Sequence, residues 1–201
     1  MKCLKNYSEN DLFLGCQQNI PSIQKEVYER YSPKMYALCL RYVKETAAAE
    51  DVLIVGFMKV FERIQQFKGS GSFAGWIRKI MVNECLMYLE KEKNLYKEIG
   101  LEGILPAPVT VAPTDGFAVE DLMKLINTLP IGYRTVFNLY ALEGYSHQEI
   151  ARQLNISENT SKSQLSRARI HLQKMITTKP LKRNPIPAKV SRADLEPSNI
   201  Y

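Results

Sequence analysis

The residues with the clearest chemistry lie near the C-terminus, on one face of a short basic helix. That face carries Thr160, Lys162, Ser163, Ser166, Arg167 and Arg169. Lysine and arginine neutralise phosphates or donate to guanine, and small hydroxyl side chains reach other base edges. Residue types and spacing together predict a surface that reads duplex DNA.

Three helices are expected to hold this face in position. The first begins after Pro130 and ends at Gly144, which suits a left-handed C-terminal residue. The second opens with Ser146 and Glu149, the spacing of a capping box. After a short turn, Ser157 caps the third, basic helix. The pattern predicts a helix-turn-helix, and the competing interpretation is an ordinary helical hairpin with a solvated basic face.

Composition narrows the class of protein. The chain has 201 residues, 45% of them hydrophobic, so it can bury a core. Its formal net charge of +6 permits a polyanionic partner. Four cysteines without a C-x-x-C pair, and two distant histidines, argue against a metal site and favour buried free thiols. We expect no cofactor, no small-molecule substrate, no membrane insertion and a cytoplasmic location, since no signal peptide or long apolar run occurs.

The N-terminal part, residues 8–92, carries helix-spaced apolar residues throughout. A Gly/Ser loop over residues 68–72 interrupts it, and Ser72 can cap the helix that follows. Lys68 lies beside Phe73 and Trp76 in the sequence, a combination that suits binding of single-stranded DNA. Bases can stack on the aromatic rings, and phosphates attract the lysine cation. The alternative is that both aromatic residues belong to the core.

Two segments differ in composition from these helical regions. Residues 93–117 are rich in proline and glycine and predict a flexible linker, for which a plain tether is sufficient explanation. The helix-turn-helix domain is expected over 118–176, and a disordered basic tail over 177–201.

The chain resembles the extracytoplasmic-function group of the sigma-70 family in both helical regions. The C-terminal match includes Leu129-Pro130, Gly144-Tyr145-Ser146, Glu149-Ile150-Ala151, Lys162-Ser163 and Arg167-Ala168-Arg169, and the N-terminal match includes Arg41-Tyr42, Ala49-Glu50-Asp51, Phe57, Phe67, Phe73, Trp76, Ile80 and Asn83. The resemblance implies an all-α fold of two small helical domains joined by a linker. It also implies a non-enzymatic transcription initiation factor, with core RNA polymerase, promoter DNA and an anti-sigma factor as partners.

The resemblance assigns three groups of residues. It implies that core polymerase is bound by Glu50, Asp51, Ile54 and Phe57. It implies that the opened minus-10 element is bound by Lys68, Ser70, Ser72, Phe73, Trp76, Arg78, Lys79 and Asn83. The minus-35 duplex is then bound by the basic helix face described above. Four residues depart from the family pattern: Ser161 replaces Val, Ile54 replaces Gln, Met87 replaces Asp or Asn, and Glu90 replaces Arg. Two alternatives remain open, a polymerase-independent helix-turn-helix regulator and a decayed sigma-like interaction protein.

Overall fold

The computed structural model describes residues 7–98 and 119–178. Within these ranges the chain forms helices and turns without a strand, which confirms the predicted all-α class. The first six residues of the predicted linker continue the preceding helix to residue 98, while 99–117 lie outside the described residues. Most of the predicted tail, 179–201, also lies outside them.

The N-terminal domain is built from four helices. They are α1 (Glu9–Gln17), α2 (Pro21–Tyr42), α3 (Thr46–Glu62) and α4 (Phe73–Glu98), with a 3-10 turn at Ile64–Gln66. Helices α2, α3 and α4 pack against one another, and α1 lies across α2. Ser8 and Asp11 form a capping box at the start of α1. Helix α2 continues through Pro33 without interruption.

The C-terminal domain contains the predicted helix-turn-helix and one further helix. Its elements are α5 (Val119–Thr128), α6 (Ile131–Phe137), a π-helical turn (Asn138–Leu142), α7 (His147–Leu154) and α8 (Glu158–Thr178). Gly144, with a φ of +77°, ends the first unit as expected. Ser146 and Glu149 form the predicted capping box, and the Thr160 amide donates to Ser157 Oγ at 3.0 Å. The sequence predicted the first helix of this domain after Pro130 and did not predict α5.

The two domains contact each other, which the sequence did not indicate. Val136, Leu139, Ile150 and Leu165 of the C-terminal domain belong to the same buried apolar cluster as the N-terminal core. Polar contacts from α6 and the π-helical turn to the end of α2 accompany them. The helix-turn-helix is therefore positioned by its own turns and by the N-terminal domain.

Candidate nucleic-acid interface

The outer face of α8 presents most of the predicted minus-35 residues to solvent. Leu165, Ala168 and Leu172 are buried on the inner face. Residues three or four positions apart share a helix face, so the opposite side carries the polar row. Lys162, Ser163, Ser166, Arg167 and Arg169 are all exposed. The result is a basic row along the exposed side of α8.

Two residues of that set also have contacts inside the domain. The Thr160 hydroxyl lies 2.8 Å from Ser157 Oγ at the start of α8, so Thr160 supports the cap as well as the face. The Arg169 guanidinium lies 5.7 Å from the centre of the Tyr140 ring. A cation over an aromatic face is attracted to it, and this contact limits the freedom of Arg169.

Ser161 and His147 form a hydrogen bond between α8 and α7 that the sequence did not predict. Ser161 is fully buried, with 0% of its surface exposed, and its Oγ lies 2.9 Å from His147 Nδ1. The His147 ring stacks on Tyr140 with centroids 4.6 Å apart. His147 is thus half-buried and held between Ser161 and Tyr140. The departure from Val at 161 is matched by a hydrogen-bond partner on α7.

The loop before α4 has the exposure expected of a strand-binding loop. Lys68, Ser70 and Ser72 are exposed. Gly69 and Gly71 have φ values of +71° and +87°, which residues with side chains rarely adopt. Ser72 Oγ accepts from the Gly75 amide at 3.3 Å, which confirms Ser72 as the helix cap.

Phe73 does not lie on this surface. It is 1% exposed and packs against Phe13, Phe67 and Trp76, so its ring cannot stack on a base in this conformation. Its amide donates to Glu9 Oε2 at 3.3 Å. Phe73 therefore supports the loop from below, which corrects its assignment as a direct contact. Trp76 is half-buried over Phe67, at the edge of the core.

The remaining minus-10 candidates follow along α4. Lys79 is exposed. Arg78 is half-buried, because its guanidinium forms an ion pair with Glu143 of the C-terminal domain. Asn83 is exposed, and its Oδ1 accepts from Gln153 Nε2 at 2.7 Å. Two of the eight candidates are thus engaged by the other domain.

Helix α3 carries the candidates for polymerase binding. Glu50 and Asp51 are exposed, and Ile54 has 52% of its surface exposed. Phe57 is 2% exposed and packs against Tyr28 at 4.9 Å, so it supports α3 instead of contacting a partner. Val55 and Met58 are also exposed and extend the apolar strip begun by Ile54. The sequence did not single out Val55 and Met58, because apolar residues in a helix are as readily assigned to its buried face.

Glu143 and the residues around it were missed by sequence reasoning. Its carboxylate accepts from Arg41 Nη2 at 2.8 Å and from Arg78 through both Nε and Nη2. Nearby, Arg134 Nη2 donates to the Tyr42 carbonyl at 2.9 Å, and Asn138 Nδ2 to the Arg41 carbonyl at 2.8 Å. An acid just before Gly144 carries no local signal of such distant partners.

The cysteines in the described part of the chain are buried free thiols, as the sequence predicted. Cys16, Cys39 and Cys85 are free and buried, while Cys3 lies outside the described residues. Burial raises the pKa of the Cys16 thiol to about 11, which keeps it protonated at neutral pH. In residues 7–98 and 119–178 no cluster of histidine, cysteine and acidic residues is arranged to hold a metal ion. No helix in those ranges is both long and apolar enough to cross a membrane.

Comparison with known proteins assigns both domains to one family. Sigma-70 region 2 matches residues 27–94, and sigma-70, region 4 matches residues 120–172. The ECF RNA polymerase sigma factor SigW of Bacillus subtilis is 30% identical over 165 residues, covering 75% of this chain and 87% of SigW. SigM of the same organism is 28% identical, covering 74% and 91%. In fold, the chain is similar to the sigma factor RpoE of Bartonella quintana, solved with the anti-sigma factor NepR, at a TM-score of 0.53 and 22% identity, covering 77% of this chain and 97% of RpoE.

Proposed function

The chain belongs to the extracytoplasmic-function group of the sigma-70 family, and from that membership we propose how its two domains divide promoter recognition between them. It is an RNA polymerase sigma factor, and its partners are core RNA polymerase and promoter DNA. A polymerase-independent regulator is not favoured, because the family match includes the N-terminal domain as well as the helix-turn-helix. The single observation that supports the division is the exposed basic face of α8 in a chain that also carries an exposed cationic loop before α4.

The minus-35 element is read as duplex by α8. Lys162 and Arg167 contact the major groove or its phosphates, with Ser163 and Ser166 close to base edges. Thr160 and Arg169 act at the two ends of this face, where Ser157 and Tyr140 hold them. One helix of this kind offers few phosphate contacts, so specific binding requires a second module.

The minus-10 element is held as an unpaired strand by the loop before α4. Lys68, Ser70 and Ser72 approach the flipped base and its phosphates, and Trp76 offers the edge of its ring. Arg78, Lys79 and Asn83 continue the path along α4. Opening a base-pair step costs roughly 1.4 kcal/mol in stacking, so the loop stabilises a bubble that polymerase helps to open.

Core polymerase docks on α3. Glu50 and Asp51 provide charge, and Ile54 begins an apolar strip with Val55 and Met58. Ile54 stands where the family usually has Gln, so an apolar contact with polymerase replaces a polar one at this position. Phe57 fixes the helix from inside.

Several further features follow from this role. The chain has no catalytic activity of its own, works in the cytoplasm where its polymerase and DNA are, and is regulated by an anti-sigma factor. Met87 and Glu90 are exposed on α4, and Glu90 repels a nearby phosphate to a degree that salt screening sets. A decayed, merely sequestering protein would carry these departures without supporting transcription.

Two substitutions that should affect different measurements test the division of roles between the domains. Purified chain and core polymerase are incubated with a genomic fragment library, and a promoter identified from the transcripts is then used for all variants. Arg167→Ala should weaken closed binding by about 1–3 kcal/mol and relax specificity at one minus-35 position. Lys68→Ala should leave closed binding nearly unchanged and reduce permanganate reactivity near minus-10, because it removes a cation from the strand.

Lys25→Ala is the matched control for the lost charge, since Lys25 lies in an exposed pair with Glu29. It should affect neither measurement. Tight duplex binding without polymerase, together with no transcript in its presence, would refute the sigma-factor mechanism. Equal effects of Arg167→Ala and Lys68→Ala on both measurements would refute the division of roles.

A further inference from the structure

Helix α1 contacts the loop before α4 at the beginning, the middle and the end of that loop. The sigma-70 region 2 match begins at residue 27, so α1 (Glu9–Gln17) lies outside the part of the chain that the family model covers. The helix packs against α2 and against the 3-10 turn at Ile64–Gln66, from which the loop departs. Its contacts with the loop indicate what it contributes to the N-terminal domain.

At the beginning of the loop, the C-terminal end of α1 holds the 3-10 turn. Gln65 Nε2 donates to the Gln17 carbonyl at 3.1 Å, and Gln17 Nε2 donates to Gln65 Oε1 at 3.4 Å. The last carbonyls of a helix have no partner within it, so the Gln65 amide also completes the end of α1. Two hydrogen bonds between the same two residues fix the point from which the loop starts.

In the middle of the loop, the ring of Phe13 lies beneath the backbone. Phe13 is buried and meets Phe67 edge-on, with ring centroids 4.9 Å apart, an arrangement that aromatic pairs favour. A Cβ placed on Gly69 would lie 3.9 Å from Phe13 Cε1, so this part of the loop lies directly over the ring. Helix α1 thus provides the floor of the loop.

At the end of the loop, Glu9 connects α1 to the start of α4. Its Oε2 accepts from the Phe73 amide at 3.3 Å, and its Oε1 accepts from the Tyr31 hydroxyl at 3.2 Å. The first amides of a helix have no partner within it, and a carboxylate is favourable there. Burial, together with the nearby Glu9 charge, raises the pKa of Tyr31 to about 12, so its hydroxyl remains a donor at neutral pH.

We propose that Glu9 is a positioning residue for the minus-10 loop, holding the end of the loop at α4 while Gln17 and Phe13 hold its beginning and its middle. This inference rests on the proposed function, in which the loop captures a flipped base. Gly69 and Gly71 allow the loop many conformations. A loop that α1 already holds in one of them loses less entropy when the strand binds. Glu9 acts through the loop, because a carboxylate repels the phosphates of the strand itself.

Open-complex formation by the full chain with core polymerase tests the proposal. The template is the promoter identified from the transcripts, together with a series in which one base at a time is removed from the minus-10 element. Permanganate reactivity of the remaining unpaired thymines gives the ratio of open to closed complex. The captured base is the one whose removal lowers this ratio most for the unaltered protein.

Glu9→Ala should lower the ratio of open to closed complex by about 2- to 10-fold on the intact promoter, the range expected for a lost hydrogen bond. On the template that lacks the captured base it should have no further effect, because the loop then has no base to hold. A general loss of structure would lower both ratios alike. Glu9→Gln keeps an oxygen that can accept from the Phe73 amide, so it should remain within about twofold of the unaltered protein.

Glu29→Ala is the matched control, since it makes the same truncation in an exposed pair on α2. It should leave the ratio unchanged on every template. Tyr31→Phe keeps the buried ring but removes the hydroxyl that orients Glu9, so it should lower the ratio on the intact promoter only. This variant decides the test if circular dichroism shows that Glu9→Ala does not fold.

An unchanged ratio in folded Glu9→Ala, or equal losses on the intact and base-deleted templates, would overturn the proposal. The same two results in Tyr31→Phe would overturn it if Glu9→Ala cannot fold. Failure of the proposed function gives a different result, because the unaltered protein would then be insensitive to removal of every minus-10 base.

Discussion

At the scale of single residues, a buried hydroxyl contributes to how α8 packs on α7. Ser161 faces α7 where a valine would make an apolar contact, and His147 meets its hydroxyl at 2.9 Å. The His147 ring stacks on Tyr140, and the Arg169 guanidinium lies over the same tyrosine, so this contact extends to the exposed side of α8. The orientation of Arg169 thus depends indirectly on His147.

A double-mutant cycle tests the Ser161–His147 pair. H147F keeps a ring on Tyr140 but leaves the Ser161 hydroxyl buried without a partner, so it should lower the free energy of unfolding by about 1–3 kcal/mol. S161V should cost less, since the half-buried His147 can turn its nitrogen towards water. The double variant should recover most of the loss, because both groups are then apolar. Urea unfolding of the full chain gives these free energies.

The control for this cycle is H171F, at an exposed histidine that lies near Tyr133. It should change stability by no more than about 0.5 kcal/mol, as surface substitutions usually do. Additive effects of H147F and S161V would show that the two residues do not interact.

At the scale of elements, α3 packs closely against α4 while its outer side stays exposed. Gly56 makes the approach possible: a Cβ there would collide with the sulfur of Met81, which is fully buried on α4. On the other side of α3, Ile54 and Met58 remain exposed. The same helix thus has a tightly packed inner face and an apolar outer face.

Gly56→Ala measures this close approach. Overpacking of a filled core costs about 1–3 kcal/mol, so the variant should unfold at lower urea concentration although alanine favours helix. Gly75→Ala is the matched control, because the nearest atom to its new Cβ is Ser72 Cβ at 3.7 Å, an ordinary contact. It should be neutral or stabilising by up to about 1 kcal/mol. A stabilising Gly56→Ala would mean that α3 and α4 separate easily.

At the scale of the whole molecule, the two domains share both an apolar cluster and a set of ion pairs. Glu143 connects α2 and α4 to the π-helical turn, and Ile150 and Leu165 lie in the cluster that includes the N-terminal core. Their separation therefore breaks apolar and ionic contacts together.

Limited proteolysis tests this description of the whole molecule. Residues 99–118 are rich in proline and glycine. Proteases cleave segments of this composition readily, so this segment should be cut before either domain. The two fragments should still elute together in size-exclusion chromatography, held by the domain contact. In Glu143→Lys they should separate, because three cations would then face one another. Early cleavage inside a helix, or immediate separation of wild-type fragments, would contradict this description.

Local signals explain what the sequence by itself determined. Helix caps at Ser8, Ser72, Ser146 and Ser157 depend on neighbours three residues away, and all four are present. The all-α class and the exposed face of α8 follow from 3.6-residue periodicity, which also depends only on nearby residues. Family membership followed from residue patterns in both domains, and the comparisons confirm it.

Contacts between distant residues explain what only the tertiary structure decided. Periodicity puts Phe57 and Phe73 on apolar faces but does not tell how deeply they are buried, and both prove to be core residues. Glu143 lies 102 positions from Arg41 and 65 from Arg78, so no local pattern connects them. The pairing of Ser161 with His147 likewise depends on how α7 crosses α8. Which DNA-reading residues are exposed, and which are held by the other domain, is a property of the packed molecule.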